Sequence, residues 1–350
     1  MILKGVDRQI LGELESDAGQ NLSQLAKKLN ISRQLMRYRF LLLQKKNIIT
    51  GFYTIINFTL FGYTLYRTMI RLSQITAKKQ AEIVSFLKNH PNVEWLVECG
   101  GRWDLIVNFM ARNVIQYNQF MRELQECFPQ QILHYDILTT VEIHDFGREY
   151  LIDKKRETRD IFYFGREYRF IKLDPLDIRI LDLIAENARM SFAEMGKRLG
   201  VNPNPLVKRT KNMIKSGVIR GFKPVINLAN TPYSAHKALI KFQNTTEKRK
   251  DEIADELKSD PNILAVLKLI GPWDFEVEFE VESKQKEQGL IRTIRDRYHD
   301  VINSLEVIPL YREHRFNFFP RDMIERTEPA KDGFIPNRPR TPSRRSPSWG

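Results

Sequence analysis

Apolar positions along the chain switch between two periods, and the switch recurs. Ile10, Leu11 and Leu14 lie on one helical face, and Ile180, Leu181 and Ile184 repeat that face far downstream. A turn follows each. Ser191-Phe-Ala-Glu194 then reads as a capping box, hydroxyl and carboxylate satisfying free amides at a helix start, with Asn21-Leu-Ser-Gln24 as its weaker equivalent. These second helices stop after Leu29 and Leu199, at Asn30 and Gly200, residues that accept a left-handed backbone. Ser32 and Asn202 supply the next N-caps, and Pro203 falls where a missing N–H is harmless. Met36, Phe40 and Leu43, like Leu206, Thr210 and Met213, mark the buried stripe of a third helix. Asn47-Ile-Ile-Thr-Gly-Phe and Gly217-Val-Ile-Arg-Gly-Phe then read as a turn into a strand, a small wing on each unit.

The stretches that follow change period. Thr64–Ser73 reads as a strand, and Ala77–His90 as a helix through Ile83, Phe86 and Leu87, stopped by Pro91. Val93–Cys99 and Leu105–Ala111 read as strands joined across Gly100-Gly-Arg-Trp-Asp104. Val114–Phe128 reads as a helix and Ile132–Phe146 as a long strand. In the second half, Phe275 to Val281 alternates apolar residues with Glu, which predicts a sheet with one wet face. The order β-α-β-β-α-β is the ferredoxin-like split motif.

The two halves are one unit duplicated at an offset of 170 residues. Asp7 matches Asp177, Ile10-Leu11 matches Ile180-Leu181, Ile49-x-Gly-Phe52 matches Ile219-x-Gly-Phe222, and Pro91-Asn92 matches Pro261-Asn262. Gly101-x-Trp-Asp104 matches Gly271-x-Trp-Asp274, and His144-x-Phe146 matches His314-x-Phe316. The predicted fold class is therefore α+β: two copies of a winged helix-turn-helix followed by a ferredoxin-like βαββαβ domain. The boundaries fall at 1–52 and 53–146, a linker at 147–172, 173–222 and 223–320, and a tail at 321–350.

Charge follows these boundaries. The 350 residues carry a net charge of +13, of which 1–52 hold +5, 147–172 +3, 173–222 +4 and 321–350 +3, while each βαββαβ stretch holds −1. Basic blocks separated by neutral ones point to local contacts with a polyanion. A helix, a tight turn and a basic helix make a helix-turn-helix, whose last helix enters the major groove of double-stranded DNA. In the first copy Arg33, Gln34, Arg37 and Tyr38 face outward beside the N-cap Ser32. In the second, Asn204, Lys208 and Lys211 do so. Arg and Gln make paired bonds to guanine and adenine, whereas Lys suits phosphate. Arg39 and Arg209 lie nearer the buried stripe, placed equally for a phosphate contact or an ion pair.

These residues resemble the Lrp/AsnC (feast/famine) regulators, here two complete units covering about residues 1–150 and 171–320. The shared pattern stands as Asp7, Ile10-Leu11, Leu25-Ala26, Ser32, Met36, Arg39, Leu43 and Asn47-Ile-Ile49. Its second copy is Asp177, Ile180-Leu181, Met195-Gly196, Asn202, Leu206, Arg209, Met213 and Gly217-Val-Ile219. Asn47 for Gly, Asn202 for Ser and Thr210 in the stripe are departures. The resemblance implies a sequence-specific DNA-binding transcriptional regulator, pairing as an intramolecular pseudo-dimer or a homo-oligomer, with an amino-acid effector. Its ligand loop implies Gly101, Trp103 and Asp104, and Gly271, Trp273 and Asp274, as effector residues; Gly turning the chain, Trp packing and Asp capping the turn is the alternative.

Other chemistry finds little footing. Two cysteines make no disulfide framework, six scattered histidines make no metal site, and neither a phosphate-cradling Gly loop nor a Gly-x-Ser-x-Gly elbow is present. No apolar run approaches the roughly 18 residues of a membrane span, and the start shows no signal peptide. The reading is a cytoplasmic protein with no catalytic residue, no metal and no cofactor. One enzymatic alternative shares the unit: sirohaem decarboxylases, with His134-Tyr135 and Tyr311-Arg-x-His314-x-Phe316 as candidates. A DNA-organising protein without sequence preference is the other. The linker carries Phe146-Gly-Arg-Glu-Tyr150 and Phe164-Gly-Arg-Glu-Tyr168 around a charged centre, predicting a hairpin or a tether. The Pro-, Arg- and Ser-rich tail predicts disorder and added phosphate attraction.

Overall fold

The computed structural model describes residues 3, 5–151, 162–165 and 170–325. The first copy runs α1 (Val6–Ser16), α2 (Leu22–Lys28), α3 (Arg33–Lys45), β1 (Ile49–Ile56), β2 (Thr64–Leu72), α4 (Ala77–Asn89), β3 (Val93–Cys99), β4 (Leu105–Ala111), α5 (Val114–Cys127) and β5 (Ile132–Asp145). After β6 (Phe162–Phe164) the second copy runs α6 (Pro175–Glu186), α7 (Phe192–Leu199), α8 (Pro203–Lys215), β7 (Ile219–Ile226), β8 (Ser234–Phe242), α9 (Glu247–Leu257), β9 (Ile263–Ile270), β10 (Phe275–Val281), α10 (Lys284–Arg297) and β11 (Ile302–Phe316). A last turn, α11, spans Asp322–Glu325. Element by element, the two copies follow the duplicated order.

The copies are fastened to each other by strands. β1 pairs antiparallel with β7, placing Tyr53 opposite Lys223. This corrects the expectation of a separate wing on each unit: each eight-residue strand finds its ladder on the other copy, and runs four residues past the boundaries at 52 and 222. An edge strand with an apolar face pairs wherever a matching edge is offered. Each helical unit also crosses over. The Ala18 amide donates to the Phe222 carbonyl (2.9 Å), and the Ala188 amide to the Phe52 carbonyl (3.2 Å).

The βαββαβ strands close on themselves as well. The order β2-β4-β3-β11-β8-β10-β9-β5, with β5 returning to β2, is a ring of eight strands, four from each copy. Met69, Trp95, Val97, Trp103, Leu138, Leu239, Leu267 and Ile308 fill its interior. α4 and α5 cover one sheet from outside, over Ile83, Leu87, Phe120 and Leu124. α9 and α10 cover the other, over Ile253, Leu257, Leu290 and Ile294.

Two of the three alternating Glu of β10 prove not to face water, and Glu278 is half-buried. Glu276 and Glu280 are buried, with Glu276 paired to Arg67 of the other copy and to Lys237. The Arg67 side chain also donates to Asn108 (2.8 Å), which in turn donates to Glu94 (2.8 Å). Two-residue alternation in one strand looks the same whether the polar face meets solvent or a facing set of cations.

The joins differ from expectation too. Glu149–Leu151 is a short 3-10 turn, and β6 pairs with the end of β5, Ile143 opposite Phe164. The charged centre 153–160 lies outside the described residues. At the other end, the chain stays packed beyond 320. The Tyr63 hydroxyl and the Gln116 amide donate to Asp322 (2.7 and 3.0 Å), Arg321 pairs with Asp182 (3.0 Å), and Met323 is buried. The packed chain therefore runs past the boundary at 320, because Met323 and Ile324, joined to Phe318 and Phe319 just before it, carry an apolar surface that the composition of 321–350 as a whole conceals. Residues 326–350 lie outside the described residues. Among the described residues no helix is long and apolar enough to cross a membrane, and no cluster of His, Cys, Asp and Glu suits a metal.

Candidate nucleic-acid interface

Each outward helix is placed by a capped, tight-turned pair. At α2 the box is complete: the Gln24 amide donates to Asn21 Oδ1 (2.9 Å) and the Asn21 amide to Gln24 Oε1 (3.1 Å). At α7, Ser191 Oγ accepts from the Glu194 amide (3.1 Å), but the Glu194 carboxylate pairs with Arg198 (2.7 Å). The pattern ranked weaker in sequence thus makes the fuller cap. Asn30 and Gly200 adopt left-handed φ of 53° and 67°, and Asn47 matches Gly217 in the same way (53° and 77°). Asn47 therefore supplies the stop that a glycine would.

The starts of α3 and α8 are unlike. Ser32 Oγ accepts from the Leu35 amide (3.1 Å), whereas Asn202 occupies the N-cap position without a side-chain bond. This corrects the expected second cap. A capping side chain draws on the N–H groups two and three residues on, and Pro205, three residues on, has none.

Outward faces match the sequence reading. Arg33, Gln34, Arg37 and Tyr38 are exposed on consecutive turns of α3, Tyr38 at 60%. Asn204, Lys208 and Lys211 are exposed on α8. Arg39 and Arg209 are half-buried at the edge of the outward face. Arg39 pairs with Asp7 (3.6 Å), and Arg209 with Asp177 (2.9 Å) and Asp174, so each ties its outward helix to the first helix of its unit.

The Gly-x-Trp-Asp loops sit at the two seams of the ring. Asp104 Oδ2 accepts the Leu72 amide (2.7 Å) with Arg71 at 3.6 Å, while Arg71 donates to the carbonyls of Gly101 (3.1 Å) and Arg102 (3.2 Å). Trp103 is buried and stacks on His134, centroids 5.7 Å apart. Asp274 repeats the arrangement on the Phe242 amide (2.9 Å), with Lys241 (3.2 Å) and Lys250 (3.4 Å) beside it. Burial pushes the Asp274 carboxyl up, but the Phe242 amide and the two lysines outweigh it and hold it below the usual carboxylate range. Gly101 takes φ 83°, Trp273 is half-buried, and Gly271 (φ 145°) packs on Ile137 and Leu138 of the other copy. Both aspartates hold their own turns. Of the recurring histidines, His144 is buried and His314 pairs with Glu98 (2.6 Å).

A family model for winged helix-turn-helix DNA-binding domains matches residues 3–50 and 173–220. An HTH-type transcriptional regulator of Pyrococcus horikoshii is 32% identical over 107 residues, 29% of this chain and 69% of that protein. The leucine-responsive regulatory protein of Haemophilus influenzae is 36% identical over 55 residues, 16% of this chain and 33% of that one. Among solved structures, the siroheme decarboxylase NirDL covers 92% of this chain and 98% of its own, with a TM-score of 0.59 at 14% identity, a likeness of fold over the whole tandem arrangement. The capped helix pairs, the outward basic helices and these sequence relatives agree: the chain belongs to the Lrp/AsnC family of DNA-binding HTH-type transcriptional regulators, with two of the family's units in one polypeptide.

Proposed function

We propose that this regulator reads an asymmetric duplex site, with α3 as the base-reading helix and α8 as the phosphate anchor. One observation carries the reading: the outward face of α3 offers Arg33, Gln34 and Arg37, which suit base edges, and that of α8 offers Asn204, Lys208 and Lys211, which suit the backbone. The β1–β7 ladder supports it by fixing one α3 against one α8 within a chain, so the unlike helices always arrive together. Ser32 and Tyr38 flank the α3 face, while Arg39 and Arg209 act through the helices they brace.

The protein works here as a regulator without chemistry of its own. The interior of the strand ring is filled by Trp95, Trp103, Leu239 and Leu267. His134 stacks on Trp103, and His314 is engaged with Glu98. An amino-acid effector belongs to the proposal at the seams, where its ammonium would displace Arg71 from Asp104, or Lys241 and Lys250 from Asp274. Binding there opens the loop, which couples occupancy to the seam between copies.

The test compares Arg37→Ala with Lys208→Ala on a selected site and on competitor DNA. Arg37→Ala is expected to cost about 1–3 kcal/mol on the selected site and little on competitor, and Lys208→Ala to weaken both evenly and lower the salt slope by about 1. Equal losses of specificity from the two changes contradict the division of labour. Binding without preference for any fragment points instead to a DNA-organising role.

A further inference from the structure

Arg189 lies in the turn between α6 and α7 of the second copy, where its amide donates to Asn187 Oδ1 (3.1 Å), yet its guanidinium contacts the first copy. Its guanidinium carbon lies 5.3 Å from the centroid of Phe40 on α3 and 5.0 Å from that of Phe52 on β1, two rings stacked 6.1 Å apart at 13°. Its Nη2 donates to the Gln20 carbonyl (3.1 Å) at the entry to α2. One side chain therefore touches the turn, the last helix and the strand of the other copy's helix-turn-helix. Phe40 lies three residues beyond Arg37 on the same helix and is buried. The duplicated position is Gly19, where a Cβ would come within 3.0 Å of the Phe222 ring, and Phe40 is matched there by Thr210. Among the described residues, the position that would serve α8 in the same way holds Gly19, which has no side chain to do so.

We infer that Arg189 is a positioning residue, supplied by the second copy, that fixes the rotation of α3 and so sharpens base reading by the first. A planar cation over two aromatic faces, with one N–H tied to a carbonyl, holds a helix in one orientation. The inference rests on α3 as the base-reading helix and adds that its precision comes from the other copy.

The test uses the full chain with Arg189→Ala and Arg189→Lys. Hydrogen exchange without DNA is expected to rise about tenfold in α3 for Arg189→Ala, a loss of the size a cation–π and hydrogen-bond contact supports, with α8 unchanged and Arg189→Lys in between. On DNA, affinity for the selected site falls about tenfold while competitor affinity and the salt slope hold. Unchanged exchange in α3, or equal rises in α3 and α8, overturns the inference. So does a uniform loss of affinity with a salt slope lower by about 1, which makes Arg189 a phosphate contact. Because the exchange measurement needs no DNA, failure of Arg189 there is separable from failure of the base-reading assignment, which the two-DNA comparison reports.

Discussion

Where α1 meets the strand ring, Glu15, Arg148 and Glu280 lock together; 170 residues along the repeat, Ala185, Phe318 and Met110 stand in the same three places. At the first junction Arg148 grips Glu280 through Nε and Nη2 (3.0 and 2.9 Å) and Glu15 through Nη1 (3.1 Å), while Lys223 bridges Asp145 (2.9 Å) and Glu15 (3.4 Å). Tyr150 adds its hydroxyl to Glu280. At the second, Tyr53, Phe58, Phe164, Phe316 and Phe318 pack ring against ring, with Tyr53 on Phe316 at 4.7 Å and Phe316 on Phe318 at 4.9 Å. A homodimer must build both junctions alike. Fusion lets one be ionic and the other aromatic, and the two fail for different reasons: an ion cluster needs every partner, whereas an aromatic cluster loses only what is removed.

The largest expected effect is at Arg148. Arg148→Ala leaves Glu280 buried without its cation and Glu15 with Lys223 alone, and should cost about 3–5 kcal/mol in chemical denaturation. Replacing the trio with the residues of the other junction, Glu15→Ala, Arg148→Phe and Glu280→Met together, should be neutral or stabilising, since well-packed apolar groups often match a buried ion cluster. A triple variant as damaged as Arg148→Ala would break the comparison.

Acid provides the next contrast. Burial drives His90 down to about 4, with the Arg315 charge adding to it, so the imidazole stays neutral in the fold while the unfolded chain takes up its proton near pH 6.5. A folded value below the unfolded one means this contribution is complete above about pH 6.5 and is lost as pH falls towards 4, up to about 3–4 kcal/mol at 1.4 kcal/mol for each unit. Glu15 follows at lower pH. Burial alone would raise its carboxyl, but Arg148 and Lys223 outweigh that and hold it below the usual range. Its contribution is present above about pH 4.5 and lost below, at the ionic junction alone. Stability measured against pH should therefore fall in two stages, with His90→Gln shrinking the upper, which His144, also driven down to about 4 by burial, shares, and Glu15→Gln shrinking the lower, which Asp274 shares. A single stage unaffected by Glu15→Gln would show that the ionic junction contributes nothing there.

Much of this architecture is legible in sequence because it is local. Helix stripes such as Met36-Phe40-Leu43, stops at Asn30 and Gly200, and the Gly-x-Trp-Asp turns are set by neighbours within a few residues. What escapes the sequence lies between the copies. The β1–β7 ladder and the two seams of the ring join residues about 120 to 220 positions apart, and strand periodicity does not name a partner. Glu276 and Glu280 read as solvent-facing because their cations, Arg67 and Arg148, belong to other elements. Arg189 reads as an ordinary turn residue, and its mismatch with Gly19 is one of many between the copies. The outward residues of α3 and α8 were visible, since exposure on a capped basic helix follows from local pattern, whereas the pairing of Arg39 and Arg209 with the first helix required the fold.

The central claim is that two unlike reading helices in one chain address one asymmetric site. The direct measurement is selection of binding sites by the full chain from random duplexes at two salt concentrations with excess competitor. The account predicts a non-palindromic motif that survives the higher salt, with one half-site strongly specified and weakened by Arg37→Ala, and the other nearly free in sequence. A palindrome with equally specified halves would contradict it.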